Sequence, residues 1–149
     1  MSLLVRRPKV LDLPAIEQLE AANLKRYPSR AGWLDSVRAL VERTLAEEPE
    51  GMMIADLDGK VAGLAIARMR GQHPLSGRSY GQVVHLSVHP QHRSAGVGER
   101  LLRECEAYLR SRGCEDVLLR LPVDQTEDAE LFKKTGYQVA AWELQRTFK

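Results

Sequence analysis

The chain has 149 residues, of which 44% are apolar, 28% charged and 5% aromatic, a size and balance that suit one compact α/β domain with a real core. Its 22 basic and 20 acidic residues leave a net charge of +2 at pH 7, with no block of like charge to serve as a nucleic-acid arm or a disordered tail. The longest clean apolar run, residues 61–67, is far shorter than the roughly 20 residues a membrane span needs. Residues 1–8 hold no apolar stretch that would read as a signal peptide. The expectation is a cytoplasmic protein that binds neither membrane nor nucleic acid.

Residues 3–7 read as a first strand, closed by Pro8. Asp12 then stands where a helix N-cap would, ahead of Leu13, Ile16, Leu19 and Leu24 at helical spacing, with Pro14 inside the first turn. Residues 27–32 are a breaker. A second helix follows, with Trp33, Val37, Leu40, Val41 and Leu45 on one face. Residues 52–57 and 61–69, joined through Asp58-Gly59, read as a β-hairpin, and 71–77 as a loop. A further strand covers 80–89 and is ended by Pro90. After the polar loop 91–95, a helix opens at Gly96, with Val97, Leu101, Leu102, Cys105 and Leu109 facing inward and Gly113 at its end. Residues 117–123 are nearly all apolar, as in a strand covered on both faces. Thr126 caps a short helix through Lys134, and 137–148 reads as a final strand. The order is β-α-α-β-β-β-α-β-α-β in one domain, 1–149. Two edge strands, 3–7 and 137–148, would suit pairing between two copies, and so a homodimer. The two cysteines, Cys105 and Cys114, have neither a zinc spacing nor a C-x-x-C spacing and read as reduced thiols.

Residues 83–98 carry the chemistry. A strand runs into a loop whose two glycines, Gly96 and Gly98, stand at the mouth of a helix. The first turn of a helix leaves amides unpaired at the positive end of its dipole, which suits an anion. Glycine lets a phosphate approach the backbone closely, and Arg93 adds a forked cation. A P-loop is excluded because no lysine follows Gly98. A dinucleotide fingerprint fails because Leu101 occupies its third glycine position. A helix start that binds nothing stays open on this segment alone. His85 and His89 are about 13 Å apart along a strand, too far to share a metal ion, and no metal site is expected.

Arg93-x-x-Gly96-x-Gly98 after a strand ending Leu86-x-Val88-x-Pro90 resembles the pyrophosphate-binding motif of the GNAT superfamily, the acyl-CoA-dependent N-acyltransferases. The element order is similar along essentially the whole chain, and 129–137 resembles that family's late helix and the Gly-Tyr beginning its last strands. The resemblance implies a GNAT-like fold whose sheet splays at the cofactor cleft. It implies acetyl-CoA as acyl donor, held by the backbone of Arg93, Ser94, Ala95, Gly96, Val97 and Gly98. The pantetheine arm would lie along Leu86, Val88 and His89, with the Val88 amide polarising the thioester carbonyl. A primary amine of a small molecule or a protein would attack directly.

The chain departs from the family where protons move. Phe132 stands where many members have an acidic tyrosine, though its ring still suits the pantetheine channel. Gln125 replaces an asparagine that holds the cofactor. Val84 and Gln82 stand where a base often lies on the central strand, and Arg120 replaces a glutamate of the next strand. Two substitutes offer themselves as catalytic residues. Tyr80 shares the strand parity of Gln82 and Val84. His85 titrates in the useful range, but alternation turns it to the other face unless a bulge re-aims it. The acceptor side carries Lys25, Arg26, Arg30, Arg70 and Arg78 and few carboxylates, which suits an amine bearing a carboxylate or phosphate more than a polycation. The competing readings are an acyl-CoA-binding module without chemistry and an interaction domain with a vacant cleft.

Overall fold

A computed structural model of the chain describes residues 2–26, 32–121 and 126–148. They form two compact units, Met1–Leu119 and Arg120–Lys149. The first holds a five-stranded mixed sheet in the order β1 (Leu3–Arg6), β2 (Met52–Leu57), β3 (Lys60–Gln72), β4 (Ser79–Val88), β5 (Asp116–Leu119). All neighbours are antiparallel except β4 and β5, which run parallel. The β2–β3 hairpin turns at Asp58 (φ 52°) and Gly59 (φ 87°), the pair of positive φ values that an Asp-Gly turn of this kind needs.

Helices α1 (Leu13–Arg26) and α2 (Trp33–Glu47) cover one face of this sheet and α3 (Val97–Ser111) the other. Ile16, Leu19, Val37 and Val41 pack with Met52, Ile54, Leu64 and Ile66 in one cluster. Gly63, the neighbour of Leu64, turns the opposite way: a Cβ there would lie 2.8 Å from Leu101 and 3.0 Å from Val97 of α3. The five inward residues expected on α3 are all buried, Cys105 among them, where desolvation pushes its thiol up to about 12.

Several local expectations change. Asp12 does not cap α1. Its carboxylate accepts the Lys9 amide at 2.6 Å and the Arg6 guanidinium at 2.8 and 2.9 Å, closing a 3₁₀ turn, Val10–Asp12, ahead of the helix. Leu45 is 41% exposed. Thr44 takes the buried place on α2 instead, its hydroxyl donating to the Leu40 carbonyl at 2.8 Å. The loop after Pro90 is a 3₁₀ turn, Pro90–Ala95. β5 ends at Leu119 and is half-exposed, because it lies at the edge of the sheet and not inside it.

In the second unit α4 (Thr126–Lys134) ends before Gly136, whose φ is 107°. The final strand expected over 137–148 is not formed. Val139, Trp142, Leu144 and Phe148 are 58–93% exposed, and no described strand takes the segment's amides and carbonyls into a ladder. It therefore offers no formed edge strand for a second copy.

Candidate active site

β4 pairs with β5 only from Tyr80 to Val83. Beyond that point, among the described residues, no strand pairs with this edge of β4, and the segment from Val84 to Val88 presents its backbone there. The direction of its amides follows from one bond. His89 N–H donates to the Ala62 carbonyl of the β3 side at 2.8 Å. N–H groups alternate sides along a strand, so those of Leu86 and Val88 are aimed at the open edge.

The chain then enters the 3₁₀ turn and reaches Gly96, whose φ of 75° is left-handed and natural only for glycine. Arg100 N–H is the first amide of α3 to bond back, to the Gly96 carbonyl at 3.1 Å. The amides of Val97, Gly98 and Glu99 have no intrahelical acceptor. A Cβ on Gly98 would meet only Val88 Cγ2 at 3.5 Å, so the bare glycine keeps open the space over the turn. Arg93 is half-buried in the turn, and Ser94 and Ala95 complete it. His89 accepts the Gln91 amide at 3.2 Å on Nδ1. Burial, helped by His92, holds it below the usual histidine value, so it is neutral at pH 7. Amides without an intrahelical acceptor, a left-handed glycine and an adjoining strand edge that no described strand pairs fit a pyrophosphate with an amide-bearing arm.

The second cluster lies behind β4, against α1. The β3–β4 register pairs Ile66 with His85 but Ala67 with Val83, so Val84 is an extra residue, a bulge. The bulge reverses the alternation. A Cβ on Gly81 would meet Leu109 of α3 at 2.4 Å, whereas His85, four residues on, meets Glu20 of α1: Nε2 lies 2.7 Å from Glu20 Oε1. The condition under which His85 turns toward the α1–α2 layer is therefore met. Ser87 Oγ reaches the same Nε2 at 2.8 Å. Both partners share one nitrogen, so the three groups are not a serial Ser-His-acid relay. Glu20, Asn23, His85 and Ser87 are all buried. Glu20 Oε2 and both amide atoms of Asn23 have no hydrogen-bond partner.

In the sequence Glu20 stands only as a carboxylate at the margin of the acceptor side, and Asn23 opens the segment beside it. Their helical spacing with Ile16 puts them on the inner face of α1, and two polar residues there were the available signal. Tyr80 lies at the start of β4, where both neighbouring strands pair, with its ring edge-on to His73 at 5.0 Å. Phe132 is buried on α4 and meets Tyr137 edge-on at 6.3 Å, within the second unit. Gln125 and Arg30 lie outside the described residues. Arg78 is bound by Asp116 at 2.8 Å and Glu115 at 3.4 Å, and Arg70 donates to Gln82 at 3.3 Å, so those two cations are already engaged.

The family model for "Acetyltransferase (GNAT) family" matches residues 14–137. Acetyltransferase plu1384 of Photorhabdus laumondii is 28% identical over 98 residues, 66% of this chain and 64% of its own length. Mycothiol acetyltransferase of Thermobispora bispora is 27% identical over an alignment covering 89% of this chain and 52% of its own length. The chain thus spans 52–64% of the length of these curated relatives. The solved structure of AAC(6')-Iy in complex with a CoA-linked bisubstrate analogue matches over 100% of this chain and 99% of its own, with a TM-score of 0.78 at 17% identity. At that identity the likeness is one of fold.

Proposed function

The chain belongs to the acetyltransferase (GNAT) family, and from that premise we propose that it is an N-acetyltransferase, moving an acetyl group from acetyl-CoA to a primary amine of a small molecule or a protein. The observation that carries this reading is the conjunction at the end of β4: three amides opening α3 without an intrahelical acceptor, beside a strand edge that no described strand pairs.

In this reading the turn from Arg93 to Gly98 takes the pyrophosphate, and the edge from Leu86 to His89 takes the pantetheine amides. Val88 N–H polarises the thioester carbonyl, a role whose loss typically costs about 10²–10³ in rate. A neutral amine attacks directly, and holding both reactants in one cleft supplies much of the acceleration. We assign the proton acceptor to His85 over Tyr80, because His85 lies where no described strand pairs the β5-side edge of β4, and Tyr80 where strands pair on both sides. A cytoplasmic location belongs to the same reading.

Calorimetric titration with acetyl-CoA and desulfo-CoA, with NAD as control, tests the binding half. Binding of both CoA compounds and not NAD is expected; no CoA binding overturns it. Thiol release is then followed with a panel of a free-N-terminal peptide, a lysine ester, an amino sugar and a polyamine. Binding without turnover of any of them favours a non-catalytic acyl-CoA module, the reading suggested by Phe132 where an acid is usual.

A further inference from the structure

Glu20 is 1% exposed on a helix face otherwise given to Ile16 and Leu19. A carboxylate at that depth is costly to keep, and breaking its pairing is costlier still. A leucine there would pack without that cost. Among the described residues its hydrogen-bond partner is His85, 65 residues away in sequence, and the bulge at Val84 is what brings that ring to it. The pair backs the half of β4 whose β5-side edge no described strand pairs, the stretch that ends at Val88.

We propose that Glu20 is a positioning residue for the transfer. It takes the Nε2–H of His85, which fixes the tautomer with its lone pair on Nδ1, and it carries the compensating negative charge when that ring is protonated. In the step this serves, the amine nitrogen forms a bond to the acetyl carbon and the carbon–sulfur bond breaks. The proton released by the amine goes to His85, directly or through one water, and CoA leaves as a thiolate that takes a proton from solvent. The inference rests on His85 being the base.

The test compares wild type with Glu20→Gln, His85→Gln and the double variant, using the fastest amine of the panel. The glutamine at 20 keeps shape and hydrogen-bonding capacity and removes charge. Expected are an unchanged acetyl-CoA Kd and a kcat lower by about 10- to 10³-fold in Glu20→Gln, with the double variant no slower than His85→Gln alone. A merely structural role would not give that non-additivity at constant Kd. If Glu20→Gln keeps kcat within about twofold while His85→Gln loses it, Glu20 only packs and the proposal fails, with the base assignment standing. If His85→Gln keeps kcat, the base assignment fails first. Should Glu20→Gln not fold, Glu20→Leu, which packs without a charge, serves, and a kcat equal to wild type overturns the proposal. Nitrogen-15 NMR of the His85 ring reads the same point without any amine: Nε2–H, protected from solvent, is expected, and a proton on Nδ1 alone overturns it.

Discussion

At the scale of single residues, Gly96 and Gly98 do different work although they look alike in the motif. Gly96 holds a left-handed backbone, so a side chain there strains the chain whatever the ligand, at roughly 1–2 kcal/mol. Gly98 is helical and unstrained; what it supplies is open space over amides without an intrahelical acceptor. Gly98→Glu is therefore expected to fold with a wild-type melting temperature and to lose acetyl-CoA affinity by at least about tenfold, 1.4 kcal/mol, through bulk and like charge. Gly96→Glu loses affinity and also melts lower. Calorimetry beside a thermal melt separates the two, and unchanged affinity in Gly98→Glu would remove the anion site. Such glycines are legible in sequence because a helix start is local. The Glu20–His85 contact is not, since it depends on a packing partner far along the chain and on a register that neither segment encodes alone.

The elements show the same division. Hairpin, signature helix and first strand follow from turn chemistry and periodicity, and α3 buries the five residues its spacing selects. The misread elements are those whose fate a neighbour decides: β5 stops at Leu119, and 137–148 has strand-like residues but no ladder. β4 carries the functional consequence. Its Ser87 and His85 amides point into the sheet, while those of Leu86 and Val88 face an edge with no described partner. Hydrogen exchange should therefore be faster at Leu86 and Val88 than at Ser87 in the free protein. Saturating acetyl-CoA should slow the first two selectively. Equal protection of all three amides before ligand is added would show that the edge is closed.

For the molecule as a whole, the Arg6 ion cluster ties the first strand to the rest. Arg6 donates to Asp12 at 2.8 and 2.9 Å and to Asp56 at 3.0 Å. The hydrogen bond from Arg6 lowers the Asp12 carboxyl below its ordinary value, with burial partly opposing and the Lys9 amide helping. A carboxyl lowered on folding contributes stability that is fully present above its unfolded pKa, about 3.9, and is lost as pH falls through the folded value. Asp12→Asn should cost about 1–3 kcal/mol at pH 7, and the gap to wild type should narrow below about pH 4. Urea unfolding at both pH values checks this; a gap that does not change with pH would mean that the carboxylate's charge is not what stabilises the turn.

The extra residue at Val84 has one more consequence. A period-two pattern assigns one helical layer to every second residue of a strand, and β4 breaks that assignment at a single position. Its odd residues belong to α3 as far as Val83 and to α1 from His85 onward. The strand thus has two phases, one shared with the signature helix and one with the first helix, and each half can vary in sequence without disturbing the layer the other serves. A deletion of Val84 would merge the two phases into regular alternation, with His85 following Val83 directly and still opposite Ile66 on the α1 side, so the chain can lose the bulge residue without losing the contact to Glu20.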